Sequence, residues 1–142
     1  MITQTITPRE GTTTFLVSRT GRFITGEFSS FKFLSESGQP RARDITINYL
    51  ETKKEDSFSN LLAFCKARGL TPLHPAILAS ACLSKPAFMD KTPSFTFWPT
   101  RNNLFGYTRY YKSWGREINI GETGGDVTLE WVKNMWLATA LI

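Results

Sequence analysis

Residues 95–114 carry eight aromatic side chains, and the wider stretch 91–116 holds five basic residues and no acidic one. Those five, Lys91, Arg101, Arg109, Lys112 and Arg116, equal the chain's whole net charge of +5, because elsewhere twelve Lys and Arg balance twelve Asp and Glu. Cations interleaved with flat apolar rings are what single-stranded nucleic acid requires: phosphates need positive charge and unstacked bases need π-faces. In an extended strand, residues two apart share a face. Phe105, Tyr107, Arg109 and Tyr111 therefore project together, with Leu104, Gly106, Thr108, Tyr110 and Lys112 on the other side. Two predicted turns add to this set through Gly-Arg pairs, Gly21-Arg22 and Gly115-Arg116, flanked by Arg19 and Trp114. The candidate nucleic-acid-binding residues are Arg22, Trp98, Arg101, Phe105, Tyr107, Arg109, Tyr111, Lys112, Trp114 and Arg116. The competing identity of the same residues is an aromatic β core from which Arg109 reaches a wet edge by its aliphatic stem.

Other constellations offer less chemistry. Asp44 with Glu51-Thr52-Lys53 superficially matches the two carboxylates and lysine of metal-dependent nucleases. On one continuous strand, however, seven residues separate the carboxylates by about 23 Å and put them on opposite faces. They could share a metal only if the chain reversed near Asn48. Cys65 and His74 are the one thiol and imidazole that could pair as nucleophile and base, yet Cys65 falls on a buried stripe that raises its pKa. His74, between Leu73 and Pro75, reads as a hydrogen-bonded structural histidine. With one histidine and no Cys-x-x-Cys, no zinc site is expected, and Cys65 and Cys82 read as reduced core residues. The loop 121–126 lacks the Gly-Lys-Ser/Thr of a P-loop and carries Glu122 and Asp126, which would repel an anion. No cofactor and no catalytic set are expected.

The elements that position these residues follow from hydrophobic period. Residues 12–18 read as a strand, Arg19-Thr20-Gly21 as a turn, and 22–28 as the return, continuing to Leu34 through a kink at Ser29-Ser30. After a polar loop over 35–41, Ile45, Ile47 and Tyr49 alternate with Asp44, Thr46 and Asn48 in a third strand. The period then changes to 3.6: Phe58, Leu61, Leu62 and Cys65 predict a helix over 58–68, capped by Asp56 or Ser57 and ended by Gly69. Residues 76–83 are apolar all round, a buried helical segment stopped by Ser84-Lys85-Pro86. Strands follow over 94–98 and 104–112, Ser113-Trp114-Gly115 turns the chain, and 116–120 returns. Leu129, Val132, Met135, Trp136 and Ala140 lie on one stripe, which predicts a C-terminal helix over 127–141 behind Asp126. The expected class is α+β: an antiparallel sheet, or a small OB-like barrel of three-strand meander, helix and hairpin, with the terminal helix packed on the sheet.

At 142 residues, 41% hydrophobic and 20% charged, the chain is expected to form one domain over 1–142. Its longest apolar runs are eight residues, too short for a bilayer span. The start, Met1-Ile-Thr-Gln, lacks the pattern of a secretory signal, so a cytoplasmic location without membrane partner is expected. Two readings of function stand together. One is a non-enzymatic binder of single-stranded DNA or RNA, because the charge sits on strands and no basic recognition helix is visible. The other is a protein-interaction module, such as an inhibitor, adaptor or virion component, or a self-associating surface, built on the same Trp, Tyr and Arg.

Overall fold

A computed structural model describes residues 2–7, 19–25, 44–52, 57–98, 104–113, 115–122 and 135–141. In chain order the elements are β1 (Ile2–Ile6), β2 (Phe23–Thr25), β3 (Ile45–Glu51), α1 (Phe58–Ala67), β4 (Leu70–Pro72), α2 (Pro75–Ser84), α3 (Pro86–Lys91), β5 (Ser94–Trp98), β6 (Leu104–Tyr111), β7 (Gly115–Glu122) and β8 (Trp136–Leu141). Seven strands form one open sheet in the order β1-β3-β8-β5-β6-β7-β2, and β4 pairs with β8 off that path. The β5–β8 and β2–β7 pairs are parallel and the others antiparallel.

Local chemistry explains the helices. Ser57 accepts the Asn60 N–H at the start of α1, and Gly69 (φ 68°) turns the chain out beyond its end. Phe58, Leu61 and Cys65 face the sheet and pack on Phe95, Phe97, Phe105 and Leu137. The Phe58 and Phe97 rings stack with centroids 4.4 Å apart. Pro75 sits in the first turn of α2, where its missing N–H costs nothing. That helix buries Ile77, Leu78, Ala81 and Cys82 against Ile47, Tyr49 and Ala138, and sets Ala76 and Ala79 on Ile118 and Ile120. Leu137 and Ala138 are consecutive on β8 yet belong to different clusters, so α1 covers one face of the sheet and α2 with α3 the other.

Three expectations are corrected. The sheet is open and mixed, so it is neither an antiparallel sheet nor an OB-like barrel. The three-strand meander is absent because β2 lies beside β7, in parallel, on the far edge from β3. The C-terminal helix is instead strand β8 over Trp136–Leu141, in the middle of the sheet. Leu137, Ala138 and Thr139 are all buried, because a strand covered on both faces is apolar without alternation, which a helical stripe imitates. Strand β1, the short β4 and helix α3 were not anticipated. Helices α1 and α2, strands β3, β5, β6 and β7, and the turn glycines Gly21 (φ 71°) and Gly115 (φ 97°) lie where the sequence placed them. The strand over 12–18, the continuation over 28–34, the loop 35–41 and the first part of the expected helix, 127–134, lie outside the described residues. Among the described residues no helix is long and apolar enough to cross a membrane.

Candidate nucleic-acid interface

Strands β6 and β7 pair in register from Leu104–Glu122 to Tyr111–Gly115, which sorts the candidate residues by face. On the α1 face, Phe105 is buried in the core beneath α1, stacked on Phe58 and Phe95. Towards the turn that cover thins, and Tyr107, Arg109 and Tyr111 are half-buried. Opposite them Glu117, only 5% exposed, accepts the Tyr107 hydroxyl on Oε2 (3.3 Å) and the Tyr111 hydroxyl on Oε1 (3.0 Å). Burial, and after it the Glu117 carboxylate, pushes the Tyr111 phenol upward, so it stays a neutral donor.

The other face of the hairpin meets α3. Arg22, immediately before β2, has a side chain only 1% exposed and donates from Nη1 to the Glu117 carbonyl (3.1 Å) and from Nη2 to Asp90 Oδ1 (3.3 Å). Arg116 grips the same carboxylate through Nε and Nη2, the closest contact being 2.7 Å, and its side chain is 47% exposed. Asp90 in turn holds the Arg116 guanidinium still more firmly protonated. The two Gly-Arg turns thus do meet, on one half-buried acid of α3. Two guanidiniums against one carboxylate leave a net charge of +1 on the cluster, and its outward member is Arg116. Tyr110, the cross-strand partner of Arg116, is 47% exposed, and Lys112 at the turn and Lys91 beside Asp90 are exposed.

Among the described residues at the closed end of the hairpin, the carboxylates of Glu117, 5% exposed, and Asp90, 18% exposed, sit among hydrogen-bond donors. The cations Lys91, Lys112, Arg116 and, half-buried, Arg109 face outward beside Tyr110 and Tyr111. Of the candidate residues, Arg109, Tyr111, Lys112 and Arg116 meet here, with Tyr107 one step inward. Tyr110 and Lys91 were missed as site residues: the alternation put Tyr110 on the opposite face, and nothing in the sequence brings α3 to that face. Arg22 and Phe105 are interior. Arg101 and Trp114 lie outside the described residues.

Trp98 belongs to the opposite end. It pairs with Leu104, seven residues and about 23 Å of strand from Tyr111. There it meets His74 edge-on at 5.4 Å. His74 is buried and caps α2, its Nδ1 accepting the Ala76 N–H at 3.0 Å, which is the structural histidine read from the sequence. Cys65 and Cys82 are buried and form no disulfide, each thiol pushed by burial from 9.0 to about 11. Asp44 and Glu51 stand at opposite ends of an unbroken β3, so no chain reversal brings them together. Among the described residues no three His, Cys, Asp or Glu side chains converge as metal ligands. No protein-family model, no curated protein and no solved structure matches the chain.

Proposed function

We propose that this protein binds single-stranded nucleic acid, without cleaving it, through the closed end of the β6–β7 hairpin. One observation carries the reading: among the described residues at that end, Glu117 is buried and Asp90, 18% exposed, is held by two guanidiniums, while the exposed charges of Lys91, Lys112 and Arg116 are all positive, with Arg109 half-buried nearby and Tyr110 and Tyr111 on the two faces. A flexible strand can lay phosphates along those cations and stack bases on the tyrosine rings. A duplex keeps its bases stacked and away from such rings, and among the described residues no basic helix is placed to enter a groove.

Fluorescence anisotropy with a labelled oligothymidylate of twenty nucleotides tests it. Tyr110→Ala should weaken binding by about 1 to 3 kcal/mol per stacked base and leave the melting temperature nearly unchanged. Failure of the wild-type protein to bind at low salt transfers the surface to the second reading, a protein-interaction module.

A further inference from the structure

The ladder between β3 and β8 runs from Glu51–Trp136 to Asn48–Thr139 and stops there. Beyond it the strands part, and Asp44, Ile45 and Thr46 on one side and Ala140 and Leu141 on the other flank a cavity of about 520 Å³. Its far wall is Trp98, with Leu73, His74 and Ile77. Ligand sites for drug-sized molecules fall in this size range and have the same make-up, mostly apolar walls with a few convergent polar groups.

From this geometry we infer that the cavity is a binding site for a small planar aromatic molecule bearing a protonated amine. The wall supplies the ring's requirement: Trp98, half-buried and held edge-on by His74, offers an aromatic surface, and Ile45, Ile77 and Leu141 offer apolar contact. Charge sets the sign of the ligand. Among the described lining residues Asp44, which is exposed, is the one acidic side chain, and none is Lys or Arg. Its Oδ1 accepts the Thr7 hydroxyl, while Oδ2 has no partner among the described residues. An ammonium group meets a carboxylate there, and an anionic ligand is repelled by it. The site is distinct from the basic hairpin end in position and in charge, so the two are tested independently.

Calorimetric titration of the whole chain with tryptamine, indole and indole-3-acetate compares three charges on one ring system. Tryptamine should bind about three- to tenfold more tightly than indole-3-acetate, with indole between them. Asp44→Asn should bring the three affinities within about twofold of one another, since only the charge is removed. Trp98→Leu should weaken all three alike, and Trp98→Phe should restore most of the binding. An oligonucleotide bound at the hairpin should leave tryptamine affinity unchanged. Absence of tryptamine binding to a protein that melts normally overturns the inference, as does a preference for tryptamine that survives Asp44→Asn.

Discussion

Asp90 shows how one side chain sets both stability and surface charge. It neutralises part of Arg22, which is interior, and orients Arg116, which is not. Asp90→Ala leaves the Arg22 guanidinium buried without its acid, a change that costs about 3 to 5 kcal/mol, to be read from urea denaturation. Arg116→Ala removes only the exposed partner and should cost under about 1 kcal/mol. The hydroxyl of Thr108 presents the reverse case, being fully buried and without a hydrogen-bond partner among the described residues. Thr108→Val should therefore match the stability of the wild type or exceed it by about 1 kcal/mol, where a bonded hydroxyl would make the same change destabilising. The sequence marked Arg22 as a turn residue open to solvent. Its acid lies 68 positions away on a helix with no strong periodic signal, so nothing local distinguished a buried Arg from a surface one.

At the scale of elements, legibility followed the period. Helix α1 has a cap, a stripe and a terminal glycine, and each was readable; β6 and β7 carried alternation strong enough to fix which side chains share a face. Strand β8 failed for a physical reason, since burial on both sides erases the alternation that announces a strand. Strands β1, β2 and β4 are short, and their places depend on partners far along the chain. One contact between elements is specific enough to test. A Cβ on Gly106 would stand 2.8 Å from Ile120 Cδ1 and 3.3 Å from Pro75 Cβ, where α2 begins. Gly106→Ala should push α2 off β6 at a cost of about 1 to 3 kcal/mol, visible as a lower urea midpoint. An unchanged midpoint would show that Ile120 swings aside and that α2 is not set by this contact.

For the whole molecule, three deeply buried groups link folding to alkaline pH in the same direction. Cys65 and Cys82 are pushed to about 11 by burial, and burial raises Tyr49 further still, its hydroxyl donating to Gln4. In the unfolded chain the thiols ionise near 9.0. Above that pH the unfolded state sheds protons that the native state keeps, so stability is full below about pH 9 and falls as the pH rises through about 11. Urea midpoints at pH 8 and pH 10.5 should show the loss, and Cys82→Ala should flatten it. Neither thiol should react with a disulfide reagent until the protein unfolds.

The electrostatic reading of the hairpin end belongs to the same scale, because it depends on where four of the five excess cations come to rest. The most direct measurement is the salt dependence of oligothymidylate affinity. Three or four cations among Lys91, Arg109, Lys112 and Arg116 touching phosphates predict a log–log slope of about −2 to −3, reduced in magnitude by about 0.7 in Lys112→Ala. A flat response, or a slope that Lys112→Ala leaves untouched, would contradict a nucleic-acid surface at this end of the molecule.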